Sequence, residues 1–155
     1  MQQKLIFVFV RSAGVLLLIT ALAKLISGVG SAPILQWRDP VLNVPFRYLF
    51  FALGGIEFLV AMICFRGKNV RIQTALVAWL STNFIIYRLG LLWVGYHKLC
   101  SCLGNLTDAL NIQPQTADAI MKTILCYLLI GSYVGSFVLW KENLKARAVA
   151  PYSAK

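Results

Sequence analysis

Residues 46–65 read FRYLFFALGGIEFLVAMICF: twenty positions with one acid, Glu57, in the interior and one base, Arg47, at the entrance. At 1.5 Å per residue a helix of that length covers roughly 30 Å, the thickness of a bilayer's hydrocarbon core. Pro45 stands immediately before the run, and Arg66-Gly67-Lys68-Asn69 immediately after it. Beyond that turn lies a second apolar run, from about Ile72 to Gly95. A turn so short makes the two runs antiparallel neighbours. Upstream, Asp39-Pro40 and Pro45 hold the chain away from helix, and Gly28, Gly30 and Pro33 close an earlier run from about Leu5 to Ile26. A last run extends from about Ala119 to Trp140, with Thr116 as its expected cap and Asp118 favouring the dipole of its first turn. No ten-residue stretch alternates with period 2, which argues against a β-barrel. The expected fold is all-α, a transmembrane four-helix bundle formed by one membrane domain over residues 1–155, with a polar tail from residue 141.

Composition agrees. The 155 residues are 59% hydrophobic and 13% charged, against about 45–50% apolar and about 25% charged in an ordinary soluble domain. A soluble chain this short could not hide so much apolar surface, and lipid is the solvent that removes the difficulty. A soluble globular enzyme, a disordered chain and a small disulfide-dense secreted scaffold are excluded. Ala21-Leu22-Ala23 resembles a signal-peptidase site, but the apolar run around it is too long for a signal peptide and Lys24 follows at once. The segment is read as a retained span.

The net charge of +10 would point to nucleic acid in a soluble protein. Here the bases fall between apolar runs, where topology explains them. The N-terminus, the 66–71 turn and the tail hold Lys4, Arg11, Arg66, Lys68, Arg71, Lys141, Lys145, Arg147 and Lys155; the opposite side holds Lys24, Arg38, Arg47, Lys98 and Lys122. Nine bases against five place both termini in the cytoplasm under the positive-inside rule. The first and third connections then face the periplasm or exterior of what would be a bacterial inner membrane.

Cys100-Ser101-Cys102 lies in that third connection. Extracytoplasmic compartments favour disulfides, and two cysteines one residue apart close only a cramped ring. Strained, exposed disulfides are the more oxidising and labile ones. The functional reading is a redox pair that exchanges with a partner thiol; the alternative is a static disulfide or two inert loop cysteines. His97 and Lys98 stand just before the pair. A cation beside a thiol favours the attacking thiolate, and His97 is suited to moving a proton, although an interfacial His beside Tyr96 is an equally ordinary role. With His97 the pair offers three metal ligands, one short of a structural zinc site, and no metal is assigned. Cys64 and Cys126 sit inside apolar runs and are expected to be buried small hydrophobes.

Glu57 and Arg88 form a second constellation. Ionisable residues inside spans are costly and face a partner or a polar cavity. Counted from the exterior ends of their helices, they lie roughly 16 and 11 Å deep. A Glu57–Arg88 pair is expected, with Lys24 near enough to join. The group serves either as a polar site for a quinone head group or a proton path, or as a structural salt bridge fixing helix register. Gly54, Glu57 and Ala61 share one helix face, as do Ser81, Arg88 and Gly95. Gly131-x-x-x-Gly135 and Ser132-x-x-x-Ser136 are small-residue patterns that permit close helix contact. Trp37, Trp93 and Trp140 stand at expected membrane interfaces.

In this combination (Lys24, Asp39-Pro40, Glu57, Arg88, then Cys100-Ser101-Cys102-Leu103-Gly104) the chain resembles the MauE/DoxX redox-associated integral membrane proteins. There the last element is often Cys-Gly-Cys-Phe-Gly; Ser101 and Leu103 replace its Gly and Phe here, while both sulfurs and Gly104 are kept. The likeness extends to about Gly104. It implies a four-helix membrane protein with an accessory redox role. Methylamine-utilisation members are thought to act with a thioredoxin-like partner in maturing disulfide-rich periplasmic enzymes, and the DoxX side is associated with quinone-linked sulfur oxidation. The expected function is therefore extracytoplasmic thiol–disulfide exchange through Cys100 and Cys102, as an oxidoreductase or an accessory subunit of one, linked to a quinone. The competing reading is a non-catalytic subunit of a larger membrane complex. A small transporter is a third, disfavoured by four spans without broken helices.

Overall fold

In a computed structural model of the chain, residues 2–30, 33–95 and 113–149 are described. They form α1 (Gln2–Val29), a 3-10 turn (Pro33–Gln36), α2 (Phe46–Arg66), α3 (Val70–Trp93) and α4 (Pro114–Val149). All four α-helices are long and apolar enough to cross a membrane, and the architecture is the all-α transmembrane four-helix bundle that the hydropathy predicts.

Each boundary has a local cause. Pro45 precedes α2 with φ −56°, the value its ring imposes, and the helix starts at the next residue. The Asn69 side chain accepts from the Arg71 N–H at 3.1 Å and caps α3. Gly95, at φ +72°, takes the left-handed conformation just beyond the end of α3, where a side chain would be strained. The α2–α3 turn is drawn tight by Gln73, whose Nε2 donates to the Ile63 and Gly67 carbonyls at 2.9 and 2.8 Å. A Cβ on Gly67 would stand 2.6 Å from the Ile63 oxygen and 2.7 Å from that same Nε2. Close approach, not unusual backbone, demands the glycine there.

The last helix departs from expectation at both ends, starting at Pro114 and continuing past Trp140 to Val149, through the start of the expected tail. α4 begins at Pro114, five residues before the expected start, with proline in its first turn, where a missing N–H costs nothing. Thr116 is thus inside the helix rather than its cap. Its 36 residues would measure roughly 54 Å, so α4 outruns the hydrocarbon core and carries its polar C-terminal turns beyond it.

The interior faces follow helical spacing. Ile6, Val10, Ala13, Leu17, Ala21 and Lys24 form one buried stripe on α1, and Phe46, Phe50, Gly54, Glu57, Ala61 and Cys64 one on α2. Buried residues from all four helices merge into one core around Leu17, Val60, Leu80 and Leu128. A smaller cluster of Leu35, Phe46, Leu49 and Phe50 closes the end where the 3-10 turn lies. Outward, residues such as Ile19, Leu59, Ile86 and Ile130 present apolar side chains, as a lipid-facing surface requires. Trp37, Trp93 and Trp140 are exposed as well.

Packing is closest within two helix pairs, α1 with α2 and α3 with α4. Small residues make the first possible. A Cβ on Gly14 would lie 3.0 Å from the Cys64 Cβ, and one on Gly54 would lie 3.2 Å from the Ala21 carbonyl oxygen. The small-residue pattern of α4 is turned inward too: Ser132 is fully buried, Gly131 abuts the Phe9 ring, and Gly135 abuts Thr74. Cys64 is buried as expected, but Cys126 is exposed. It stands two residues, about 200° of rotation, from inward-facing Leu128, and so points away from the core.

Candidate functional site

The α1→α2 and α3→α4 connections leave the same end of the bundle, and a cavity of about 90 Å³ lies between the helices toward that end. Every helix contributes to its wall: Thr20 and Lys24 from α1, Glu57 from α2, Phe84 and Arg88 from α3, Leu128 from α4. All three intramembrane ionisable residues singled out from the sequence thus meet around one space. Thr20, Phe84 and Tyr87 join them; as single hydroxyls and aromatics in apolar runs they carried no sequence signal of their own.

The pairing inside the group differs from expectation. Glu57 does not take Arg88. Its Oε1 accepts from the Lys24 ammonium, with the two side chains 1% and 6% exposed. Arg88 donates instead to Oδ1 of Asp118, whose Oδ2 also takes Lys122, one helical turn on, at 2.6 Å. The reason is rotational. Lys24 and Glu57 each fall on the buried stripe of a helix, and those two helices are the ones in closest contact. The early start of α4 likewise places Asp118 beyond its first residues, opposite Arg88. Ionisable groups in a membrane interior need such partners, and each helix pair supplies its own.

The Lys24 Nζ also lies 5.1 Å from the centre of the Phe84 ring, a distance at which a cation is attracted to a ring face. Thr20 donates its hydroxyl to the Leu17 carbonyl at 3.1 Å. Glu57 Oε2 has no hydrogen-bond partner. An apolar wall therefore carries two satisfied cations and one unsatisfied carboxylate oxygen.

The loop above the cavity is fixed by Asp39, which is 1% exposed. Its Oδ1 accepts from the Val41 and Leu42 N–H groups at 2.9 and 2.8 Å, and its Oδ2 accepts from the Tyr87 hydroxyl. The Asp39 carbonyl accepts from the Asn43 N–H at 2.8 Å, and Asn43 takes φ +55°. An aspartate that orders its own turn and reaches across to α3 ties the α1–α2 connection to the opposite helix pair. The Asp39-Pro40 dipeptide signalled the turn; nothing in it signalled Tyr87.

Cys100, Cys102, His97 and Lys98 lie outside the described residues. Comparison with protein-family models, with curated proteins and with solved structures gives no match, so the likeness to the MauE/DoxX proteins rests on the residues quoted for it alone.

Proposed function

We propose that this chain is a membrane-embedded accessory redox protein that performs thiol–disulfide exchange outside the cytoplasm through Cys100 and Cys102. In this reading both termini are cytoplasmic, the membrane is a bacterial inner membrane, and the α3→α4 connection faces the periplasm. One observation carries it. The cavity, apolar-walled but bordered by Lys24, Glu57 and Arg88, lies at the end of the bundle where α3 finishes and α4 begins, and the two cysteines lie between those helices in the sequence.

The chemistry balances simply. A thiolate of a reduced partner, of thioredoxin-like type, attacks the Cys100–Cys102 disulfide and forms a mixed disulfide. The partner's second thiolate resolves it, leaving the partner oxidised and Cys100 and Cys102 as thiols. Two electrons and two protons then pass from that dithiol to a quinone, which becomes a quinol as the disulfide re-forms. His97 and Lys98 would favour the thiolate, while Lys24, Glu57 and Arg88 would border the head-group site.

A second reading has its own support. Lys24–Glu57 and Arg88–Asp118 each lock one helix pair, as a non-catalytic subunit of a larger complex would need. Thiol trapping separates the two. In intact cells, a membrane-impermeant reagent should label Cys100 and Cys102 only after reduction. In Cys100→Ser the remaining Cys102 thiolate, attacking the disulfide of the oxidised partner in the reverse direction, should trap a mixed disulfide that no neighbouring sulfur displaces, and the double Cys→Ser chain should insert normally without activity. Full activity with both sulfurs removed would refute the exchange reading.

A further inference from the structure

We infer that the cavity discriminates by redox state: it holds the reduced, hydroxyl-bearing form of a ring-headed membrane carrier in preference to the oxidised form. The inference rests on the cavity being a head-group site and specifies which form of the carrier it takes.

The discrimination comes from one atom. Among the described residues, Glu57 Oε2 is the buried side-chain oxygen left without a hydrogen-bond partner, in a residue 1% exposed and lining the cavity. A buried acceptor left unmade is costly, and more so when charged; lipid supplies no donor to relieve it. The cations of the wall are already engaged, Lys24 by Glu57 Oε1 and Arg88 by Asp118. What the wall lacks is a donor from outside.

Water answers poorly. A buried water needs two to four polar partners, and most of the cavity wall is apolar, with Thr20, beside the carboxylate, donating its hydroxyl to the Leu17 carbonyl. An amphiphile answers better: an apolar ring against Phe50, Phe84 and Leu128, with one O–H aimed at Oε2. A volume of about 90 Å³, about three waters' worth, admits a hydroxyl and the ring edge bearing it. The cavity is partly open, so the remainder of the molecule has a way out. The oxidised carrier offers carbonyl oxygens alone. Brought to the same place, its acceptor faces the carboxylate's acceptor, and Oε2 stays unsatisfied.

The test uses the full-length chain in lipid nanodiscs with Cys100→Ser and Cys102→Ser, so that the probe's redox state is not changed by that pair. Durohydroquinone, duroquinone and durohydroquinone dimethyl ether share one ring; only the first has a hydroxyl. Binding is followed by calorimetry and by thermal protection. Durohydroquinone should bind at least tenfold tighter than the other two. Such a preference would raise the bound carrier's two-electron potential by about 30 mV, in the direction that draws electrons from a dithiol. Leu125→Trp, which fills the cavity, should abolish binding of all three. Replacing the pair together, Lys24→Leu with Glu57→Leu, should leave the three compounds indistinguishable. Duroquinone binding as tightly as its reduced form would overturn the redox selectivity while leaving the head-group site standing. If none of the three binds saturably, or Leu125→Trp leaves binding intact, the head-group site fails and the selectivity with it. Neither result touches cysteine exchange, which thiol trapping judges.

Discussion

The Lys24 ammonium and the Glu57 carboxylate meet across the α1–α2 interface, with almost none of either side chain exposed. Removing one partner strands the other charge. Glu57→Ala should cost about 3–5 kcal/mol, whereas Lys24→Leu combined with Glu57→Leu should be near neutral or stabilising by about 1–4 kcal/mol. Thermal unfolding in detergent checks both. A double variant that folds well but is inactive would assign the pair to function rather than to register.

Arg88 and Asp118 should behave as a second unit, independent of the first. Arg88→Leu and Asp118→Leu should each cost about 1.5–3 kcal/mol, the worth of a hydrogen bond to a charged group. Exchanging the two, Arg88→Asp with Asp118→Arg, should recover most of the loss. Exchanging Glu57 with Arg88 should recover none, because those residues do not pair. A double-mutant cycle measures each coupling.

The Asp39 carboxylate accepts from three donors, of which the Tyr87 hydroxyl is one. Tyr87→Phe should therefore cost about 1 kcal/mol and Asp39→Ala about 3 kcal/mol, at roughly 1 kcal/mol per hydrogen bond. Hydrogen exchange at Val41 and Leu42 should quicken in the Asp39 variant and stay slow in the Tyr87 one.

A Cβ on Gly131 would stand 2.7 Å from Phe9 Cδ2 and nearer still to Cε2. Gly131→Val should lose about 1–3 kcal/mol to overpacking, and Phe9→Leu in the same chain should restore part of it. Loss of thermal stability in the single variant, with recovery in the double, is the expected pattern.

The four helices were legible because a twenty-residue apolar run has few meanings in a 155-residue chain. That Lys24, Glu57 and Arg88 converge was legible as well, from depth along each helix. Their partners were not. Hydropathy fixes how deep a residue sits and leaves the rotation of its helix undetermined, and rotation decides that Glu57 faces α1 rather than α3. Asp118 was hidden for a related reason. A helix start placed five residues late made it a dipole-facing acid at the edge, when it is a counter-charge for Arg88. The same indeterminacy misplaced Cys126, whose apolar neighbours gave no clue that its side of α4 looks outward. Asp39 announced its turn through Asp-Pro, while its bond to Tyr87 joins residues 48 apart and no local pattern foretells it.

Lys24–Glu57 belongs wholly to one pair of helices, and Arg88–Asp118 wholly to the other. The bundle is thus built as two leaves, each holding its own ion pair, that meet along a seam running through the cavity. Parting them by a few ångströms to admit a guest would leave both ion pairs in place, and the resistance would come from apolar contact and from the few polar links that cross the seam, Asp39 to Tyr87 and Ser12 to Tyr127 among them.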